Sequence, residues 1–401
     1  MVDSMLVDLS DVATEQKDPR AADIENLPLS DQCAAVLNGM VQATHRVKAN
    51  KASILNAVEQ MRKHWKEIPV PKRQLYIAGA GTSGRLAAIT AFNFKESHSF
   101  HIDFDLAGGR DAFYTAVEGA EDKAEATRTF ESTDGVIALS ASGRTPYALA
   151  SLEAAKKAGA LTIAIHNNPG SPLSQIADID ICNATGPECP RGSTRMKAGT
   201  SQYTTLQVLM HLLSEGGGGF DAWFQNLEEA IEAIDRNALT QRAQELCTHF
   251  KNPAHQEGRL VYAGDGVCGL LGVVDGAELQ PTYSWGRVAY QVPALAILLE
   301  KERPPIIVSP RDFVINLERQ SDHAVVLNML LKTLTTVFAF QSGWIVEGEM
   351  INLDPNNMTK KLVARRVQIL KNLHIAETDA QALEILKRTG NDLSEIVASA
   401  T

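Results

Sequence analysis

"GAGTSGRLAAITAFN" (residues 79–93) directly follows the apolar run "LYIA" (75–78). A short apolar run, a glycine-rich turn and a stretch of helix-forming residues predict a β-strand, a tight loop and an α-helix. The glycines permit positive φ angles and close backbone approach, and the free amide groups at the start of a helix attract anions. This stretch therefore predicts an α/β fold with an anion-binding loop.

The same opening recurs in the second half of the chain, as "GDGVCGLLGVVDGAE" (264–278) after "LVYA". The two stretches align without a gap, with Gly266 over Gly81 and Glu278 over Asn93. We interpret this as an internal duplication whose second copy is shortened. Its predicted strands are "VAY" (288–290), "PPIIVSP" (304–310) and "DFVINL" (312–317), and a helix over 324–340 follows them.

Short apolar runs also alternate with helical stretches around the first copy. The runs after "LYIAGA" are "FDLAG" (104–108), "GVIALSA" (135–141), "LTIAIHN" (161–167) and "DIDIC" (178–182). This alternation predicts a parallel sheet covered by helices on both faces. We divide the chain into an N-terminal arm with two helices (1–65), a first sheet domain (66–219), a second, shorter sheet domain (220–373) and a small helical C-terminal unit (374–401).

Composition and charge narrow the function classes. The chain has 401 residues, 44% apolar and 21% charged, with a formal net charge of −10, which argues against a broad surface for nucleic acid or an anionic membrane. No apolar run reaches the ~18–20 residues of a membrane span. Five scattered cysteines and the absence of a signal-peptide pattern favour a reducing compartment. We expect a cytoplasmic protein without a metal or a cofactor.

Two loops of the first copy have the composition of a phosphate site. The first combines Gly81 with the hydroxyls of Thr82 and Ser83. The second, "SASGRTP" (140–146), also lies between a predicted strand and a helix, and it supplies Ser140, Ser142, Gly143 and Thr145. The glycine spacing alone also fits a dinucleotide site, but a second hydroxyl-rich loop favours a sugar phosphate.

A third polar stretch, "GPECPRGSTRMKAGTSQ" (186–202), precedes a long apolar helix. Ser193 or Thr194 is placed to cap that helix, while Arg195 and Lys197 bring positive charge to its start. Cations at a helix N-terminus oppose the helix dipole, so an anionic ligand nearby would explain them.

Several of these stretches carry a family resemblance. "GAGTSGRL", "AVEGAED", "SASGRTPY", "NNPGSPL" and "GPE…GSTRMKAGT" resemble the N-acetylmuramic acid 6-phosphate etherases of the sugar isomerase (SIS) domain superfamily. The arm "TEQKDPRAADIENLP" (14–28) and the segment "GWIVEGEMINLDPNNMTKKLVARRVQILKN" (343–372) are similar to the same family. The extra SIS-like half resembles the glucokinase regulatory protein. The resemblance implies two tandem flavodoxin-like three-layer α/β/α sandwiches, arranged as an intramolecular pseudo-dimer.

The resemblance also implies a chemistry. The etherases remove D-lactate from C3 of an amino-sugar 6-phosphate by elimination and then add water, which requires a base and an acid. The family's two glutamates correspond to Glu121, as the base, and to the position of Asn93, which cannot transfer a proton near neutral pH. The second copy keeps a glutamate there, Glu278, as the candidate acid, and Glu188 is a candidate ligand of substrate hydroxyls.

The sequence leaves alternatives open. Glu278 could face the "GDGVCG" loop of its own half, where Asp265 would repel a phosphate, and the two carboxylates would then be too far apart to share a substrate. Asn93 favours a silent sugar-phosphate sensor or an aldose–ketose isomerase, whereas the otherwise intact etherase motifs favour an etherase-type lyase, which is the activity we expect. In each case the expected partner is a small sugar 6-phosphate. Further homo-oligomerisation and an unnamed regulatory protein partner stay open.

Overall fold

The first half of the chain forms a five-stranded parallel sheet. The computed structural model describes residues 9, 11–19, 21–95, 99–117, 119–214, 218–317, 323–356 and 359–400. The elements of this half, in chain order, are α1 (Ala21–Ile24), α2 (Leu29–Ala49), α3 (Lys51–His64), β1 (Gln74–Gly79), α4 (Gly81–Asn93), β2 (His101–Leu106), β3 (Gly135–Ser140), α5 (Pro146–Lys157), β4 (Leu161–His166), α6 (Pro172–Ile176), β5 (Ile179–Cys182) and α7 (Lys197–Leu213).

Strand order and side-chain alternation place helices on both faces of this sheet. The order is β2-β1-β3-β4-β5 with every pair parallel, which is the flavodoxin-like arrangement. Along β3, Val136 and Ala138 pack against α5, while Ile137 and Leu139 join the core on the opposite face. The predicted three-layer α/β/α sandwich is therefore confirmed for this half.

The second half contains a smaller sheet and the C-terminal helices. Its elements are α8 (Phe220–Glu232), α9 (Arg236–Lys251), β6 (Leu260–Ala263), α10 (Gly266–Ala277), α11 (Leu279–Tyr283), β7 (Val288–Gln291), α12 (Pro293–Leu299), β8 (Phe313–Asn316), α13 (Ala324–Gln341), β9 (Ile345–Val346), β10 (Glu349–Met350), α14 (Lys360–Asn372), α15 (Asp379–Arg388) and α16 (Leu393–Ala400).

The smaller sheet repeats the start of the larger one. Its parallel order β7-β6-β8 corresponds to β2-β1-β3. Gly81 and Gly266, which open the equivalent helices α4 and α10, have the same φ of 53°. A residue with a side chain rarely adopts this left-handed conformation, so both loops need glycine at this position.

One predicted strand of the second half is wrong. "PPIIVSP" (304–310) has no regular secondary structure, and Ile307 is 87% exposed. Pro304 and Pro305 lack the backbone N–H that a sheet requires, and this outweighs the apolar character of the segment. The strand predicted directly after it exists as β8.

The two halves share one hydrophobic core. Buried residues of α4, α7, α10 and α13 belong to the same cluster, and α4 packs against α10. Within the described residues, α13 is the one helix long and apolar enough to cross a membrane, and 83% of it is buried inside the protein. Such burial is typical of a core helix. The domain limits given above stay predictions.

Candidate active site

A cleft of about 190 Å³ lies where the two halves meet. Its walls come from the first glycine loop, the segment around residue 120, the start of α7, the end of α10 and the start of α14. The polar residues that line it are Thr82, Arg85, Glu121, Ser193, Thr194, Arg195, Glu278, Thr282, Thr359, Lys361 and Arg365. Side chains from distant parts of the sequence therefore face one small volume.

The first glycine loop forms part of the lining of the cleft. Gly81 and Thr82 line the cleft at the N-terminus of α4. A Cβ atom on Gly84 would lie 2.3 Å from Leu106 and 2.5 Å from the carbonyl oxygen of Gly79, so only glycine allows this close packing of helix and strand. The turn leaves backbone amides of the first helical turn free for an anion.

Glu121 lies in a short 3-10 helix, Ala120–Asp122, that follows a left-handed Gly119. Burial raises the pKa of the Glu121 carboxyl, and the neighbouring carboxylates of Asp122 and Glu278 raise it further, whereas Lys361 opposes them. A carboxylate with a raised pKa is a stronger base near neutral pH than an exposed glutamate.

Glu278 also lines the cleft, at the C-terminal end of α10. It forms an ion pair with Arg85 of the first half, and the Arg85 Nε donates to the carbonyl oxygens of Ala112 and Phe113 at 3.1 and 2.9 Å. Arg85 is 3% exposed, so the pair is fixed within the wall. This contact holds Glu278 in the cleft together with Glu121.

The alternative placement of Glu278 is not what the structure shows. α10 has 12 residues, so its two ends, at Gly266 and Glu278, lie about 18 Å apart. Glu278 therefore faces the glycine loop of the first half and not the loop that contains Asp265. Asn93 at the equivalent end of α4 is exposed and does not line the cleft.

The second hydroxyl-rich loop is preorganised by its own hydrogen bonds and does not line the cleft as it stands. Ser140 Oγ and Thr145 Oγ1 are 2.8 Å apart, Ser140 Oγ accepts from the amide of Gly143 at 3.0 Å, and Ser142 Oγ accepts from the Arg144 amide at 3.2 Å. Ser83, in the first loop, donates to Gln202 at 2.7 Å and also lies outside the lining.

Part of the third predicted stretch lines the cleft, and the rest lies outside it. Ser193 and Thr194 line the cleft, and the buried Ser193 Oγ has no hydrogen-bond partner among the described residues. Glu188 is fully buried and accepts from the amides of Lys197 and Ala198 at 2.9 and 2.8 Å, which caps α7. The Lys197 ammonium lies 3.6 Å from Asp18 and borders a different cavity.

Glu15, Lys361 and Arg365 are charged residues of the cleft region that were not identified from the sequence. Lys361 and Arg365 of α14 line the cleft, and both pair with Glu15 of the N-terminal arm at 2.9 and 2.8 Å. Despite burial, these two cations lower the pKa of Glu15 to about 2. These residues lie in "TEQKDPR" and "TKKLVARR", two segments that carry the family resemblance. No local sequence pattern indicates that the two segments meet.

Arg195 connects the cleft to the interior of the second half. Its guanidinium donates to Asp275 of α10 at 2.8 Å and to Thr336 of α13 at 2.9 Å, and Asp275 also accepts from the Tyr262 hydroxyl at 2.6 Å. Cations therefore surround the cleft on several sides, as an anionic substrate requires.

The fold is typical of SIS-domain proteins, and comparisons with known proteins agree. Residues 70–212 match the family model of the SIS domain. A solved structure from Silicibacter pomeroyi DSS-3, described as a phosphosugar isomerase, superimposes with a TM-score of 0.53, covering 79% of this chain and 99% of that one. Its sequence is 15% identical, so this likeness concerns the fold.

Curated relatives define the family more narrowly. N-acetylmuramic acid 6-phosphate etherase 2 of Vibrio cholerae serotype O1 is 37% identical over 249 residues, which cover 59% of this chain and 78% of the relative. The corresponding etherase 1 of Enterococcus faecalis is 40% identical over 182 residues, 43% of this chain and 59% of the relative. This chain belongs to the N-acetylmuramic acid 6-phosphate etherase family.

Proposed function

We propose that this protein cleaves the D-lactyl ether of N-acetylmuramic acid 6-phosphate and releases N-acetylglucosamine 6-phosphate. The observation that carries the proposal is that two glutamates from different halves, Glu121 and Glu278, line one cleft together with the glycine loop. Two carboxyl groups in different environments suit an elimination, which needs a base and an acid at the same time.

In the proposed reaction, Glu121 takes the proton from C2 of the sugar. The bond between C3 and the lactyl oxygen then breaks, and Glu278 gives its proton to that oxygen, so that D-lactate leaves and a C2–C3 double bond remains. Water adds to C3, and C2 regains a proton. In this second stage Glu278 takes a proton from the water and Glu121 returns its proton to C2. Each glutamate therefore reverses its role, and both are unchanged after one turnover.

In the free protein the guanidinium of Arg85 is paired with the carboxyl group of Glu278. We propose that the anionic substrate competes for Arg85 on binding, so that Glu278 is released from this pair to act as the acid. The cations Lys361 and Arg365 lie on the same side as Thr359 and complete a positively charged rim.

The proposal extends to the surroundings of the site. The two halves would act as an intramolecular pseudo-dimer with a single catalytic cleft, and the five cysteines are free, which suits the reducing cytoplasm. The direct test is incubation with N-acetylmuramic acid 6-phosphate and enzymatic measurement of D-lactate. Binding without lactate release would indicate the sensor, and conversion of an aldose to a ketose phosphate would indicate the isomerase.

Ser142 is predicted to bind the phosphate although it does not line the cleft as it stands, because its loop follows β3, the neighbour of the strand that leads into the Thr82 loop. Replacing it with alanine is expected to weaken binding of N-acetylglucosamine 6-phosphate by about tenfold, because a hydrogen bond to a charged group stabilises a complex by roughly 1.5–3 kcal/mol. Calorimetric titration measures this affinity. The control is Ser174→Ala in α6, outside the loop. Equal affinity of the Ser142 variant and the unaltered protein would place the phosphate elsewhere.

Asn93 is predicted to have no catalytic part. Asn93→Ala is expected to leave the rate of D-lactate release within about twofold of the original, because exposed positions away from a site have small effects. Asn93→Glu, which restores the family residue, is expected to bring no gain. A large loss in the alanine variant, measured under the same conditions, would mean that position 93 belongs to the site after all.

A further inference from the structure

A lysine is buried directly behind the cleft, on the long apolar helix of the second half. Lys332 of α13 is 2% exposed, and its ammonium donates to Thr200 Oγ1 at 3.4 Å. Asn328 and Thr336 lie four residues before and after it, so the three polar side chains share one face of the helix. No ion pair meets Lys332 in the described part of the chain.

This ammonium lies beside the elements that present free amides to the cleft. A Cβ atom on Gly199 would meet the Lys332 Nζ at 3.4 Å and Thr82 Cγ2 at 3.5 Å. Gly199 belongs to the first turn of α7, and Thr82 belongs to the first turn of α4 and lines the cleft. A positive charge at helix N-termini is unfavourable by itself, so an anion nearby is needed to explain it.

The charged groups around Lys332 do not supply that anion fully. Arg195 repels the ammonium, while Asp275, Glu188 and Glu278 attract it. Asp275 and Glu278 have closer cationic partners, Arg195 and Arg85, whereas Glu188 accepts hydrogen bonds from two backbone amides. Among the described residues no carboxylate forms an ion pair with Lys332, so its charge can also act on a ligand in the cleft.

We propose that Lys332 is a positioning residue that strengthens the binding of the substrate's phosphate through its charge, from behind Thr82 and without touching the ligand. The inference rests on the proposed function, because it presumes an anionic substrate in the cleft. It assigns to the second half a role in binding, in addition to the carboxyl group of Glu278.

The electrostatics give this role a pH dependence. Burial lowers the pKa of Lys332 to about 7, and Arg195 contributes to the lowering. The ammonium is therefore charged below about pH 7 and neutral above it, and a bound anion favours the charged form. Affinity for the anion should fall as the pH rises through neutrality, and binding near pH 7 should take up a proton. Burial also raises the pKa of Glu188 to about 7, so only a variant can assign the effect.

The test compares the full chain with Lys332→Met in calorimetric titrations with N-acetylglucosamine 6-phosphate at pH 6, 7 and 8. The unaltered protein is expected to bind about tenfold more weakly at pH 8 than at pH 6. The variant is expected to bind about tenfold more weakly at pH 6, with a flatter pH profile. Its thermal unfolding temperature should not fall, because replacing a buried charge with an apolar side chain is often neutral or stabilising.

Lys157→Met, at an exposed position at the end of α5, is the matched control and should bind like the unaltered protein. An unchanged affinity and pH profile in Lys332→Met would overturn the role of Lys332. Titration of both proteins in two buffers of different ionisation enthalpy measures the protons exchanged on binding, and equal numbers in the two proteins near pH 7 would overturn it equally. If the unaltered protein binds no sugar phosphate at any pH, the proposed function itself fails.

Discussion

Glu121→Gln is expected to lower the rate of D-lactate release by about 10³-fold, since general base catalysis contributes typically 10²–10⁴ to a rate. Glutamine keeps the size and polarity of the side chain but cannot accept the C2 proton. The same variant should lose exchange of the C2 hydrogen of N-acetylglucosamine 6-phosphate with deuterated water, measured by NMR, because that exchange needs the base alone.

The pKa of Glu121 adds a second expectation. Burial raises this pKa, so the carboxylate becomes protonated, and inactive as a base, at a higher pH than an exposed glutamate would. Activity should therefore decline on the acid side of neutrality. Asp122→Asn, in the same 3-10 helix but exposed, is the matched control and should keep activity within a few-fold. Full C2 exchange in the Glu121 variant would show that the base is another residue.

Glu278→Gln is expected to separate the two parts of the reaction. Release of D-lactate should fall by about 10²–10³-fold, because the lactyl oxygen would leave without a proton from the acid. Exchange at C2 should persist, since Glu121 is intact. Assays of lactate and of deuterium incorporation on the same preparation give both quantities.

The outcome decides the division of roles. Loss of exchange together with loss of lactate release would mean that Glu278 is the base or that the cleft has changed shape. Calorimetric titration with N-acetylglucosamine 6-phosphate distinguishes these, because a cleft that has changed shape should also lose affinity. Thermal stability should fall in either case, since Arg85 loses its ionic partner. Glu257→Gln, a change at an exposed acidic residue, serves as the control.

Much of the first half could be predicted because its signals are local. Glycine spacing, apolar runs and hydroxyl-rich turns lie within about 15 residues of one another, and they gave the five strands and the loop that contains Thr82. The strand predicted at 304–310 is wrong because the prediction considered only apolar composition. The prolines of this segment lack the backbone amides that a strand requires. The alignment of Glu278 with Asn93 singled out a residue that lines the cleft, but only the packing of α4 against α10 gives its position.

The charged surroundings of the cleft could not be predicted from local patterns. Glu15 and Arg365 are separated by 350 positions in the chain and meet only because the arm and α14 reach the same place. Lys332 could not be singled out from the sequence, because it lies within a helix whose apolar pattern is typical of the buried core. Arg85 directly follows the glycine loop. It is a cation at the start of a helix, as Arg195 is, and the same sequence pattern therefore indicates both residues.

The ion pair between Arg85 and Glu278 has an evolutionary consequence. When two identical chains associate, every substitution appears twice, and a shared site must work in both orientations. Fusion into one polypeptide removes that constraint, because each half can mutate alone. One half can then keep the arginine and discard its glutamate while the other does the reverse. The difference between Asn93 and Glu278 is a change of this kind, because a gene that encodes both halves can alter one half without altering the other.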